Sequence, residues 1–149
     1  MRIAFLGTPE FACPSLAALA HAGHDITLVV SQPDKVRGRR QKPTPTPVRA
    51  EAERLGLTHT VLHKGKAARE ELYARVLDLD PDVVVVVAFG HILREPLLHG
   101  ARFGCVNVHA SLLPRWRGPA PIQRAIVAGD TVTGVSTMAL EAGVDTGPV

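Results

Sequence analysis

Seven consecutive apolar residues, Val83-Val84-Val85-Val86-Val87-Ala88-Phe89, set the strictest limit on the fold. Five adjacent valines are too β-branched for a favourable helix and lack the alternation of a strand with one wet face. A run of this kind reads as a central parallel strand covered on both sides, ended by Gly90. Parallel neighbours need crossover connections, so helices are expected between the strands.

The rest of the chain follows that pattern. Arg2 to Leu6 is a short apolar strand, and Gly7-Thr8-Pro9 turns it into a helix with Pro14 in its first turn, ending near His21 to Gly23. Ile26 to Val30 is a second strand. Thr46-Pro47 supplies a cap and a first-turn proline for a helix to about Leu55. A weak strand near Thr60 to Leu62, a helix from about Ala67 to Leu77 and a short helix around Glu95 to Leu98 come next. A strand at Cys105 to His109, a helix at Ile122 to Val127 and a strand at Gly134 to Leu140 complete the series. Strand and helix alternate throughout, which predicts a doubly wound, mostly parallel α/β sheet.

The 149 residues fit one domain large enough to bury a core. The valine run is far short of the ~20 apolar residues of a membrane span, and Arg2 to Leu6 is too brief for a secretion signal. A cytoplasmic, monomeric protein without membrane contact is the expectation. Cys13 and Cys105 share no ligand spacing and read as small core residues. His21-x-x-His24 and His59-x-x-x-His63 lack the neighbours of a metal shell, so no metal is expected.

The formal charge of +3 is unevenly spread. Lys35, Arg37, Arg39, Arg40, Lys42 and Arg49 follow one another with no acid between them, leaving the remainder with fewer basic residues than its 14 acidic ones. Gly38 and Pro43, Pro45 and Pro47 make this segment an arm rather than a core element. Such runs are usually solvated faces; on a loop at the ligand end of a sheet, this one also suits a phosphate backbone.

Ligands of open α/β sheets bind at the carboxyl ends of the strands. There, in G-C-V-N-V-H-A-S-L-L-P-R-W-R-G-P-A-P-I, Asn107 and His109 project to one side of a strand. An amide and an imidazole side by side can both donate to a carbonyl oxygen as it becomes an oxyanion. An isolated N-x-H is more often a cap and a half-buried histidine. Asp145, between Gly143 and Gly147, is alone most simply a turn former, with the glycines allowing a sharp bend.

The string N-V-H-A-S-L-L-P-R-W-R-G-x-A-P-I-Q resembles the signature of folate-dependent formyltransferases. L-G-T-P-E-F, Q-P-D with its basic loop, V-V-V-A-F-G-x-I-L and G-V-D-T-G-P match in order, from Met1 to Val149. R-W-R-G followed by A-P-I-Q-R is similar to the members whose acceptor is initiator methionyl-tRNA. Pro119 departs from the pattern, where alanine is commoner.

The resemblance implies a Rossmann-like formyltransferase fold with strand order 3-2-1-4-5-6 and an antiparallel last strand. It implies Asn107, His109 and Asp145 as a catalytic trio and 10-formyltetrahydrofolate as the formyl donor. A folate slot would be formed by Phe89, Gly90, His91, Ile92, Leu93, Leu140 and Val144, with Ile92 and Leu93 sandwiching the pterin. Ser111, Leu112, Leu113 and Pro114 would contact the folate beside it. Lys35, Arg37, Arg39, Arg40 and Lys42 would meet the tRNA acceptor stem. Arg115 and Arg117, around Trp116, would either assist or hold the catalytic loop. Residues 1–149 would then be a catalytic domain incomplete at its C-terminal end, without the tRNA-binding β-barrel that follows in family members. Glycinamide ribonucleotide and sugar-nucleotide formyltransferases and a formyltetrahydrofolate hydrolase share the same trio. A non-enzymatic RNA- or folate-binding fragment is the alternative from another class.

Overall fold

The computed structural model describes residues 1–34 and 43–149 of the chain. The valine run is the strand β4 (Val83–Val87), with β1 (Arg2–Gly7) on one side and β5 (Cys105–His109) on the other, both parallel to it. Beyond β1 lie β2 (Asp25–Ser31) and β3 (His59–Val61), while β6 (Ser136–Ala139) pairs antiparallel with β5. The resulting six-stranded order is β3-β2-β1-β4-β5-β6.

Alternation along each strand sends side chains to two cores, one on each face. Ala4 and Leu6 of β1 join Val84 and Val86 of β4 on the face covered by α3 (Lys66–Asp78) and α4 (Leu97–Gly100). Ile3, Phe5, Val83 and Val87 join Leu16 and Val48 on the other, under α1 (Cys13–His21) and α2 (Pro47–Arg54). Phe5, Leu6, Leu16 and Val84 are fully inaccessible, and each such side chain contributes roughly 1.5–3 kcal/mol by burial. The fifth helix, α5 (Pro121–Val127), buries only Ala125.

The elements agree with the expected ones to within a few residues, and the differences have local causes. β4 stops at Val87 because its ladder with β1 ends at Gly7↔Val87. Ala88 then turns left-handed at φ 47°, and Phe89 folds back into the core at 2% exposure. α4 begins at Leu97, after Pro96, since the residue before a proline is driven out of helical backbone. β6 is shorter than Gly134 to Leu140 because its pairing partner runs only from Val106 to His109. Among the described residues no helix is long and apolar enough to cross a membrane.

The α2 start is as the residues require. Thr46 caps it, its hydroxyl accepting from the Arg49 amide at 3.3 Å, with Pro47 in the first turn. The basic arm residues Lys35, Arg37, Arg39, Arg40 and Lys42 lie outside the described residues. Their flanks are tied together: the Asp34 carboxylate accepts from Arg49 at 2.6 Å and from the Thr46 amide at 3.2 Å. Thr46 also donates to the buried Ser31 hydroxyl, which meets His59 Nε2 at 3.0 Å. Arg49, the last cation of the basic run, is thus engaged by Asp34 and Glu53. Burial, with the Arg49 charge nearby, holds His59 below the ordinary imidazole pKa.

Candidate active site

β5 delivers Asn107 and His109 to the same face two residues apart, and the loop after β6 brings Asp145 onto them. Asn107 Nδ2 donates to Asp145 Oδ1 at 3.5 Å, and His109 Nδ1 lies 3.5 Å from Asp145 Oδ2. The three residues expected from the sequence are therefore brought together. Asp145 itself adopts the left-handed backbone, φ 49°, whereas neither Gly143 nor Gly147 does. The sharp bend falls on the acid, a residue type that tolerates it better than most.

Two further groups complete the cluster. The Gly118 amide donates to Asp145 Oδ2 at 2.8 Å, the shortest of the acid's hydrogen bonds. His109 Nε2 lies 3.0 Å from the Trp116 carbonyl. A carbonyl can only accept, so Nε2 carries the hydrogen in that bond. The ring is held between the Asp145 carboxylate at Nδ1 and the Trp116 carbonyl at Nε2. His109 and Asp145 side chains are 7% and 14% exposed, so that pairing is little diluted by water.

A cleft of about 730 Å³ opens beside the trio. Phe89, Gly90, His91, Ile92, Leu93, Leu140 and Val144 all line it, as do Asn107, His109 and Asp145. Ile92 and Val144 are open to it at 63% and 53% exposure, whereas Leu93, at 6%, is mainly core. His91 is exposed and tilted against Phe89, their rings 6.1 Å apart. The Phe89 carbonyl accepts from both Thr8 and Gln32 at 3.3 Å, which fixes the loop's direction from two neighbouring strand ends. Gly118 to Gln123, Pro9 and Phe11, which fall within the R-G-x-A-P-I-Q and L-G-T-P-E-F strings, also line the cleft.

Ser111, Leu112, Leu113 and Pro114 are not among the residues lining the cleft. Ser111 is fully buried and donates to the Arg115 carbonyl at 2.6 Å, while the Leu113 amide donates to Ser136 Oγ at 3.0 Å. Ser136 in turn donates to the Ser111 carbonyl at 2.8 Å. This stretch shapes the loop between β5 and α5.

Arg115 has the holding role of the two considered. Its guanidinium donates to both oxygens of Asp130, at 2.6 and 2.9 Å, and lies 4.4 Å above the Trp116 ring. The Trp116 indole donates to Asp130 at 2.6 Å. These bonds from Arg115 and Trp116 pull the Asp130 carboxyl down to about 2. Because that is below the unfolded value of roughly 3.9, the clamp stabilises the fold above about pH 4 and is lost as pH falls through about 2. Trp116 is the one tryptophan, so the intrinsic tryptophan fluorescence comes from the clamp. It is expected to stay constant from neutral pH to about 3 and to change with a midpoint near 2. A midpoint near 4 would show that the clamp does not form. Cys105, buried and donating to the Leu97 carbonyl, is pushed up to about 12 and remains a thiol.

The formyl transferase family model matches residues 1–149. The methionyl-tRNA formyltransferase of Caulobacter sp. (strain K31) is 58% identical over all of this chain and 47% of its own length. That of Jannaschia sp. (strain CCS1) is 53% identical over all of this chain and 49% of its own length. The chain spans about half the length of these relatives. A solved phosphoribosylglycinamide formyltransferase from Bacillus halodurans superposes with TM-score 0.79 over 99% of this chain and 76% of its own. At 24% identity, that likeness concerns the fold alone. With its whole length matched by the family model, this chain belongs to the formyl transferase family.

Proposed function

We propose that this protein transfers a formyl group from 10-formyltetrahydrofolate to the α-amino group of methionine on initiator tRNA, and that residues 1–149 carry the catalytic machinery. The observation that carries this reading is the convergence of Asn107, His109 and Asp145 at the side of an apolar cleft sized for a flat heterocycle. The names of relatives more than 50% identical favour methionyl-tRNA as acceptor.

The chemistry needs no protein nucleophile. The acceptor amine has a reference pKa of ~7.7–8.0, so on the order of a tenth is neutral at pH 7. Its attack on the formyl carbon creates an oxyanion and a cationic nitrogen together. Asn107 has a second amide hydrogen for the oxyanion, and His109 shares its Nε2 hydrogen between the Trp116 carbonyl and that oxygen as charge develops. Asp145 orients His109 and receives the amine proton, directly or through water, and that proton passes to the folate nitrogen as its bond to the formyl carbon breaks. The folate lies along Phe89 to Leu93 with Ile92 and Val144 against its ring.

The test is formyl transfer from 10-formyltetrahydrofolate, with methionyl initiator tRNA and glycinamide ribonucleotide offered in competition. Product on the tRNA supports the reading; product only on glycinamide ribonucleotide reassigns the acceptor, and formate release without an acceptor indicates a hydrolase. On the acceptor side, replacing Arg37, Arg39 and Arg40 by alanine is expected to weaken tRNA binding. It should flatten the plot of log affinity against log salt by ~0.7–0.9 for each phosphate no longer neutralised. An unchanged slope would move tRNA binding away from the arm.

A further inference from the structure

Trp116 links the Asp130 clamp to the His109 ring, while Ser111 ties the two only through main-chain oxygens, donating from its hydroxyl to the Arg115 carbonyl and from its amide to the His109 carbonyl. Its backbone is left-handed, φ 63°, a conformation that bulky residues seldom adopt and that persists only where the surroundings over-determine it. On the side-chain end, the indole N–H donates to Asp130, with the Arg115 guanidinium stacked on the ring and bound to the same carboxylate. On the main-chain end, its carbonyl accepts from His109 Nε2. Asp130 is itself fixed to the C-terminal end of α5, its amide donating to the Ala125 carbonyl at 3.0 Å. Rotating the Trp116 carbonyl away from His109 would therefore require moving a residue anchored at its other end.

We infer that Asp130 is a positioning residue for His109: by holding the Trp116 indole it fixes the carbonyl that orients the imidazole. Its effect on turnover rests on the formyl-transfer reading; its effect on the His109 ring does not. The carboxylate lies beyond Trp116 from the reacting atoms, so its removal should change kcat rather than folate affinity.

The experiment uses the full protein with Asp130→Ala, Asp130→Glu and Trp116→Phe. The last keeps a smaller aromatic ring and removes the indole donor. Nitrogen-15 NMR of the His109 ring and, where Trp116 remains, of its indole reads the two ends of the link. In Asp130→Ala and Trp116→Phe the His109 Nε2 signal should shift and kcat should fall on the order of ~10-fold or more, because sub-ångström misplacement of a reacting group is costly. The KM for 10-formyltetrahydrofolate should stay within about 2-fold, and Asp130→Glu should restore part of both signals. An Asp130→Ala protein whose indole signal shows the clamp released, with His109 and kcat as in wild type, would overturn the inference. Should that variant not fold, an unchanged His109 signal and kcat in Trp116→Phe would overturn it equally. A wild type that transfers formyl to no acceptor, while the His109 signal still shifts in the variants, would refute the formyl-transfer reading and leave the positioning inference standing.

Discussion

Asp145→Asn is expected to lower kcat for formyl transfer by ~10²–10⁴ while leaving the affinity for a non-reactive folate within about 2-fold. The substitution preserves shape and removes charge. The Gly118 amide donates to Oδ2, so the asparagine oxygen should take that place and its NH₂ should fall where Oδ1 was. That NH₂ would confront the Asn107 amide donor, turning one of the two oxyanion ligands out of line. At the same time His109 loses the carboxylate that orients its ring at Nδ1. Both effects act on the transition state, whereas the apolar walls at Ile92 and Val144 are untouched. Single-turnover formyl transfer and folate titration separate turnover from binding. Turnover within a few-fold of wild type would move the proton-handling role to another group.

The fold was legible wherever a residue's chemistry acts through a repeating pattern. Five successive valines permit little besides a central strand, and the two-residue spacing of Asn107 and His109 puts both on one face. Thr46-Pro47 marked α2 because cap and first-turn preferences are local. The site was less legible because half of its hydrogen bonds come from the backbone. The Gly118 amide and the Trp116 carbonyl bind Asp145 and His109 with groups that every residue type carries, so they leave no mark in the sequence. Asp130 was hidden for a related reason. After Gly129 it reads as a turn residue at the end of α5, and only the folded loop shows Arg115 and Trp116 converging on it. Ser111 to Pro114, expected from the resemblance to contact the folate, do not line the cleft, and the buried Ser111 hydroxyl is engaged by the Arg115 carbonyl within the loop.

The two glycines around Asp145 should prove unequal. Gly147 is buried against β6, where the Ala139 amide donates to the Pro148 carbonyl at 2.9 Å. A Cβ on Gly147 would overlap the Ala139 carbonyl oxygen. That oxygen belongs to a strand already paired with Val106 of β5 and has no room to retreat, so the segment after Asp145 must move instead. Overpacking of this kind costs roughly 1–3 kcal/mol, or about 2–10 °C in Tm for a domain of this size. The displacement is transmitted over two residues to the Asp145 carboxylate, where an ångström is worth on the order of 10²-fold in rate. The nearest atoms a Cβ on Gly143 would meet are those of the exposed Thr146 side chain, whose residue can shift into solvent rather than against a paired strand. Gly147→Ala is therefore expected to lower both Tm and kcat, the latter by on the order of 10-fold or more, while Gly143→Ala stays close to wild type in both. Thermal melts and steady-state formyl transfer on the two variants decide the matter. Equal effects would mean that backbone freedom at both glycines, rather than the absence of one Cβ against Ala139, is what seats Asp145 over the end of β5.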